Sequence, residues 1–350
     1  MTVRLGVVGC GWAGRQAALA ASLVPDTELV AVADMDPDRR HSVADEFDVP
    51  AAVETHNELL SIEDVEAVYV ATPPDVRLPI VFDVASAGRH VLVQKPHAVR
   101  AGEIREMESA ATEQDVTLMF SYFMRHRPIH RRLRAAVTHG IIGEPYHARI
   151  FVHFNVIPPL TEGTRWLHEY GYNGGALGQH ASHELDLAWW LMGCQRPNWA
   201  FATRHSPYAV DGVEEPAEDY LSGHIGFANG STIQIDCSRM LHVDAASIVD
   251  VYGTTGAISG TEITRYDRDA ETYIPVDISS TIEADIDHTH PPERPDDDPA
   301  HFYYEVEHFA MAVNDDVPPD VSADDAYRYM TILNGLSDSA RRGEIVTIDA

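Results

Sequence analysis

The sequence predicts an α/β chain of two domains: an N-terminal doubly wound parallel sheet, then an α+β domain built on a largely antiparallel open sheet. Three observations carry this reading. The 350 residues exceed what one hydrophobic core usually holds, and a hydrophobic content of 45% can supply two. The first ~120 residues alternate short apolar runs with helix-period segments, the pattern of parallel βαβ units. From Tyr146 onward, β-rich stretches follow one another directly around one strong helix, as in an antiparallel sheet with a helical cover. The change of pattern sets the expected boundary, with 1–121 in the first domain and 122–350 in the second.

In chain order, the expected strands of the first domain are Val3–Val8, Leu29–Ala33, Ala67–Ala71, His90–Val93 and Thr117–Phe120. Helices are expected between them at Ala13–Ser22, Pro37–Phe47, Pro74–Ala87 and Ala101–Glu113, the last three opened by a proline or an acid-rich first turn. The second domain reads as strands at His147–Val156, Asp219–Phe227, Ser231–Ser238 and Ser247–Tyr252, with a helix at Ala181–Met192. Glu283 to Ala300 is acidic, proline-rich and aperiodic, which predicts a loop or a partly disordered tip. No internal repeat is visible.

A formal net charge of −30 argues against nucleic acid or an anionic membrane as partner, since both need a basic footprint. Of the 25 basic residues one is lysine, Lys95, and the rest are arginine. Acidic residues gather in patches such as Asp34/Asp36/Asp38 and Asp296 to Asp298. This surface fits an extreme halophile, where molar salt shortens the screening length to ~3 Å and makes such self-repulsion tolerable. An ordinary acidic protein explains the charge but not the missing lysines. Thr2 to Gly9 is too short for a signal peptide and lacks its charged flank, and no stretch approaches the ~18 apolar residues of a membrane span, so the expected location is the cytoplasm. Cys10, Cys194 and Cys237 lie far apart without paired spacing and read as thiols rather than a disulfide or zinc framework.

Gly9, Gly11 and Gly14, with Trp12 and Ala13 between them, form a GxGxxG between the first strand and a helix-forming run. The first glycine permits a tight turn and the second lets backbone approach a pyrophosphate. The third lets helix and strand pack closely, and the helix N-terminus offers oriented N–H groups to the anion. This is the signature of a Rossmann dinucleotide site, and an acidic protein can hold an anionic cofactor there through backbone amides. Asp34 ends the second strand, where an acid accepts from the adenosine ribose hydroxyls, so NAD is expected. Arg39 and Arg40 keep NADP open, because a nearby arginine can accept a 2′-phosphate.

The remaining motifs occur in a telling order. Ala71-Thr72-Pro73-Pro74, Gln94-Lys95-Pro96, Arg125-x-x-Pro128, Gly174-Gly175-Ala176-Leu177 leading to His183-x-x-Asp186, then His308-Phe309, Pro318-x-x-Val321 and Ser339 to Gly343 span essentially the whole chain. Together they resemble the glucose-fructose oxidoreductase/inositol dehydrogenase/MocA family. The resemblance implies hydride transfer between nicotinamide and a secondary alcohol of a sugar, polyol or related compound. It also implies a C-terminal sheet whose outer face forms homodimers or homotetramers. Lys95 matches the family's active-site lysine and His183 its catalytic histidine. Thr72, Pro73, Gln94 and Lys95 fall on the cofactor side, Arg125, Gln179 and His180 on the substrate side. Pro96 would follow a cis peptide.

Lys95 also stands out by a separate argument. In a chain that uses arginine at every other basic position, the single lysine sits at the carboxyl end of a predicted parallel strand, where ligands of open α/β sheets bind. Lysine can lose its proton at an accessible pH and arginine cannot; chance retention on the surface is the plainer alternative. Oxidising a carbinol needs an acceptor for the hydroxyl proton and a cation for the developing alkoxide, roles that Lys95 and His183 can share, with Gln179 beside them. On an α-helix Gln179, His183 and Asp186 fall on one face.

Two departures from the family pattern bear on that chemistry. Gln94 stands where the family usually has Glu, and Gln179 where it commonly has Asp. If no other acid replaces them, the lysine loses anions that stabilise its charged form and its pKa should fall. The exchanges also leave open an altered reaction. His180 with His183, or His126 with His130, could ligate a metal, but no matching carboxylate or cysteine set accompanies them, and no metal is expected. At least one of Trp189 and Trp190 should be core. Trp166 and Tyr172 could stack on a sugar ring or simply pack, and His288-x-His290 should be solvated. Two other functions remain on this scaffold: a glycoside-cleaving enzyme that oxidises its substrate transiently on tightly held NAD, and a non-catalytic ligand sensor.

Overall fold

The computed structural model describes residues 1–208, 210–278, 300–314 and 317–349. The expected acidic loop up to Pro299 and the His288-x-His290 pair lie outside the described residues. By contacts the chain divides into two compact units, 1–127 with 288–327, and 128–287 with 328–350.

The first unit runs β1 (Val3–Val8), α1 (Trp12–Leu23), β2 (Thr27–Ala33), α2 (Pro37–Glu46), β3 (Ala51–Val53), α3 (His56–Leu60), β4 (Ala67–Val70), α4 (Arg77–Ser86), β5 (His90–Val93), α5 (Ala101–Glu113), β6 (Leu118–Phe120) and α6 (Phe123–His126). Its six strands are parallel in the order β3-β2-β1-β4-β5-β6, so the sheet reverses direction beside β1, where doubly wound folds bind nucleotides. The central strands are buried on both faces: every residue of β4 is inaccessible, and Leu5 and Val7 of β1 are fully covered. α2 starts where the sequence directs it, with Pro37 in its first turn and the Asp36 carboxylate capping the Asp38 and Arg39 N–H groups. The expected helix from Pro74 begins instead as a 3₁₀ turn over Pro74–Val76 before α4.

The second unit holds α7 (Pro128–Thr138), β7 (Pro145–His153), α8 (Ser182–Leu191), β8 (Pro197–His205), β9 (Tyr220–Phe227), β10 (Thr232–Ser238), β11 (Ala246–Gly253), β12 (Gly256–Ser259), β13 (Glu262–Asp267) and β14 (Thr272–Val276). With β15 (Val346–Thr347) they form a nine-stranded sheet, β14-β13-β12-β11-β7-β10-β9-β8-β15. Every pair is antiparallel except β7 with β10. Alternation decides its faces: Ala148, Ile150 and Val152, Ile233 and Ile235, and Leu221 and Ile225 are buried, while Arg149, His224 and Phe201 on the other face are exposed. The buried face carries α8, whose Leu185, Ala188 and Trp189 are fully covered; Trp190 is half-buried.

Two further helices precede β15, α9 (Ala300–Val313) and α10 (Ala323–Arg342). α9 packs on α1, and its Phe302, Val306, Phe309 and Ala310 join the core of the first unit with Leu5, Val7 and Ala17. The expected division at residue 122 with one continuous second domain therefore differs from the structure. The chain returns to the first unit because the α9 side of α1 is apolar and needs a cover.

Candidate active site

The turn after β1 is built by steric necessity. Gly9 has φ +96°, and a Cβ there would lie 2.9 Å from the Ala71 carbonyl carbon; a Cβ on Gly14 would lie 1.7 Å from the Gly9 carbonyl oxygen. Gly11 differs, since a Cβ on it would meet nothing within 4 Å. It caps α1 without any side-chain hydrogen bond, so the N–H groups of the helix start are left to a ligand. Thr72 Oγ1, just past β4, is buried with no hydrogen-bond partner among the described residues. Trp12 is 68% exposed and meets Phe302 edge-on, Ala13 is half-buried, and Pro73 follows Thr72. An open cradle, uncapped amides and an orphaned hydroxyl fit a dinucleotide.

Asp34 stands at the end of β2 and accepts from Cys10 N–H (2.6 Å) and Asp36 N–H (2.8 Å). These bonds fix the carboxylate at the rim of the glycine turn and leave lone pairs for ribose hydroxyls. The arginines that kept NADP open are engaged: Arg39 pairs with Asp36 at 3.2 Å, and Arg40 donates to the Asp34 carbonyl at 2.6 Å. Burial, with Asp34 nearby, pushes the Cys10 thiol up to about 12, so it stays protonated.

At the end of β5 the Lys95–Pro96 peptide is cis, as expected. Arg77 of α4, 2% exposed, reaches across to donate to the carbonyls of Thr72, Gln94 and Pro96. One guanidinium thus ties the turn after β4 to the turn after β5. The Lys95 N–H donates to Gln94 Oε1 (2.6 Å), and Gln94 Nε2 to the Tyr69 hydroxyl (2.9 Å). Behind them Ser121 Oγ lies 3.3 Å from Gln94 Oε1 and 3.0 Å from Glu305 Oε2. The fall expected in the lysine's pKa was conditional on no other acid taking the place of the two lost ones; a carboxyl does arrive here, from α9. Burial pushes Glu305 up to about 8, against hydrogen bonds from Ser121, Tyr69 and the Tyr122 N–H that pull it down. His97, fully buried and bonded to the Ser121 carbonyl at 3.2 Å, is pushed down to about 3 and stays neutral. Arg125 is 1% exposed and pairs with Asp325 at 3.1 Å, a buried anchor of α6.

In the second unit the expected helix from Ala181 begins earlier and differently. A π-helical turn over Ala176–Ala181 runs into α8, so Gln179 and His180 lie on wider turns than His183 and Asp186. Close packing shapes this turn: a Cβ on Gly174 would lie 2.4 Å from the Trp166 carbonyl oxygen, and one on Gly178 would lie 1.8 Å from that of Asn173. Glu218, 4% exposed, accepts from Leu177 N–H at 2.9 Å, and burial pushes its carboxyl up. Gln179, His180 and His183 are each half-buried, Asp186 is fully buried, and Trp166 and Tyr172 are half-buried. Among the described residues no group of three or more His, Cys, Asp or Glu is placed to hold a metal.

Sequence reading missed Arg77, Tyr69, Ser121, His97, Glu218 and Glu305. Only Glu305 left a signal, an acid inside the aromatic run Phe302 to Phe309.

Residues 3–122 match the model of an oxidoreductase family with an NAD-binding Rossmann fold, and residues 130–259 match the GFO/IDH/MocA C-terminal domain. The chain belongs to the GFO/IDH/MocA family. Family membership makes it an NAD(P)-dependent oxidoreductase and its first unit the NAD-binding domain. Among relatives, it is 28% identical over 289 residues to 1,5-anhydro-D-fructose reductase of Ensifer adhaerens, covering 80% of this chain and 85% of the relative. It is 28% identical to inositol 2-dehydrogenase of Rhizobium meliloti (strain 1021), covering 74% of this chain and 76% of the relative. Among solved structures, GenD2 from gentamicin A biosynthesis in complex with NAD superposes with a TM-score of 0.81 at 25% identity, covering 100% of this chain and 97% of that one.

Proposed function

We propose that the protein transfers a hydride between NAD and a secondary alcohol or ketone of a sugar, polyol or sugar acid, with Lys95 and His183 handling the hydroxyl proton and the alkoxide charge. The observation that carries this is the setting of Lys95. The chain's single lysine follows β5 at the carboxyl edge of the parallel sheet, its backbone held by Arg77 through the carbonyls on either side and by Gln94 through its own N–H. NAD rather than NADP is supported by the Asp34 carboxylate and the engagement of Arg39 and Arg40. Gly9, Gly11, Trp12, Ala13, Gly14, Asp34, Thr72 and Pro73 would hold it; when bound it supplies the hydride acceptor or donor. The substrate class is supported by the reductase and dehydrogenase names of the relatives, with Gln179, His180, His183 and Trp166 as substrate contacts. Arg125, buried in its ion pair, would act by holding α6.

The ammonium of Lys95 would stabilise the alkoxide, and the neutral form of Lys95 or the His183 imidazole would take the hydroxyl proton. The test is a screen of sugars, polyols and sugar acids with both cofactors in molar salt, run on wild type, Lys95→Arg and His183→Ala. Turnover lost in Lys95→Arg with NAD affinity kept supports the assignment; a fully active Lys95→Arg overturns it. We further infer a salt-requiring protein from the charge of −30, and a homodimer or homotetramer formed through the exposed sheet face, where Phe201 and Ile248 are 36% and 38% exposed. A native circular dichroism spectrum after dialysis into dilute buffer overturns the first, and a monomer by light scattering in molar salt the second. No described helix is long and apolar enough to cross a membrane.

A further inference from the structure

The network behind β5 joins three strands and a helix at four side chains that are all inaccessible or nearly so: Tyr69 on β4, Gln94 after β5, Ser121 after β6 and Glu305 on α9. Tyr69 O–H and Ser121 Oγ each reach Glu305 Oε2, at 3.4 and 3.0 Å. Both also touch Gln94, Tyr69 by accepting from Nε2 and Ser121 by facing Oε1. Gln94 Oε1 in turn accepts the Lys95 N–H. We propose that Glu305 is a positioning residue for Lys95, fixing through Ser121 and Tyr69 the Gln94 amide that holds the Lys95 backbone. The catalytic consequence rests on the reading of Lys95 given above; the positioning itself does not.

Counting protons shows why the carboxyl matters. Tyr69 and Ser121 bring one hydroxyl proton each. With Glu305 ionised, both turn toward its Oε2, and Gln94 Oε1 keeps the Lys95 N–H alone. With Glu305 protonated, its own O–H donates to Ser121 Oγ, and the serine proton passes to Gln94 Oε1. The protonation state of a carboxyl two hydrogen bonds from Gln94 thus sets how firmly that amide holds the lysine's backbone. Burial places that change near pH 8, since Glu305 is raised to about 8. The other ionisable groups around the network are Tyr69, pushed well above 10 chiefly by burial, and Arg77, Lys95 and His97, the last neutral above about 3. On the helices packed against α9, Arg15 of α1 pairs with Glu46, and α6 brings Arg125, paired with Asp325, and His126, 3.8 Å from Asp320.

The lone lysine supplies the probe. Protein grown on [15N]lysine shows one backbone amide resonance, that of Lys95, observable in molar salt without substrate. The expected result is a chemical-shift titration of this resonance with a midpoint near 8 in wild type, absent in Glu305→Gln. Ser121→Ala, a smaller change that cuts the same link, should at least halve its amplitude. In parallel, Glu305→Leu should lower kcat about tenfold while the Kd for NAD stays within about twofold, with Glu305→Gln recovering most of the loss at pH 7. A resonance that does not move between pH 6 and 9, or that titrates alike in wild type and Glu305→Gln, overturns the positioning proposal. If the titration behaves as expected but Lys95→Arg turns over normally, the positioning stands and the catalytic reading of Lys95 fails.

Discussion

The chain has two glycine-rich turns at candidate binding elements, and they use glycine for different ends. In the turn before α8, the added Cβ of Gly174, Gly175 or Gly178 would strike backbone or the Glu218 carboxylate at 2.5 Å or less. In the turn after β1, Gly9 and Gly14 are packed in the same way, but Gly11 faces open space. Each unit also buries a carboxyl, and the two differ. Glu218 takes the Leu177 N–H and shapes the π turn, whereas Glu305, besides the Tyr122 N–H, meets Ser121 and Tyr69, side chains that reach Lys95's backbone through Gln94. The presence of glycine therefore says that backbones must approach; only the surrounding space says whether the approaching group is the protein itself or a ligand.

The comparison can be broken most severely at Gly178. Alanine there must displace the Asn173 carbonyl, so Gly178→Ala should cost on the order of 3 kcal/mol and lower the thermal midpoint of unfolding by several degrees. An unchanged melt would mean that the turn is not packed as described.

Glu305→Gln should have an effect of comparable size at its full extent, with a sign set by linkage. A carboxyl held near 8 when folded and near 4.5 when unfolded makes the folded state bind the extra proton between those values, so stability falls as pH rises through that window. Glutamine carries no proton to lose. The variant should gain on wild type by up to about 1.4 kcal/mol per pH unit above 5, read as a growing difference in denaturation midpoints, and the gain should level off above pH 8. A difference that does not vary with pH removes Glu305 as a buried, neutral acid.

A smaller effect is expected for Asp34→Ala, which should weaken NAD by about tenfold and NADP by less, because the ribose hydroxyls lose an acceptor that a 2′-phosphate never used. Equal losses for the two cofactors, by calorimetry, would count against Asp34 as the selector. The smallest is Gly11→Ala. At φ −70° alanine fits without strain, so the melting temperature should stay within about 1 °C while NAD binding weakens by up to about tenfold. A variant that binds NAD as well as wild type would show that the open space at Gly11 is not where the pyrophosphate approaches.

Much of the first unit was legible because its signals are local. Parallel strands buried on both faces appear as uninterrupted apolar runs, and the spacing from β1 to Gly14 to Asp34 is covalent. The strands missed were short or marginal. β3 is three half-buried residues, β12 to β14 lie toward one edge of their sheet, and β8 opens at a proline and alternates loosely. The π turn was invisible because nothing in Ala176 to Ala181 marks a wider turn; the contacts of Gly174, Gly178 and Glu218 impose it. The family pattern pointed to Lys95 and His183, but not to what surrounds them.

By itself the sequence determined the parallel sheet, the glycine turn with its acidic partner, the single lysine at a strand end and the strongly negative charge. Each is written in a run of neighbouring residues or in composition, where covalent spacing and side-chain type suffice. Only the tertiary structure decided that α9 folds back onto α1, that Arg77 clasps the carbonyls around Lys95, and that an acid returns to the Gln94 network from Glu305, 184 residues beyond Ser121. Burial and proton sharing depend on which surfaces meet in space, and side chains so distant along the chain carry no pattern that records their meeting.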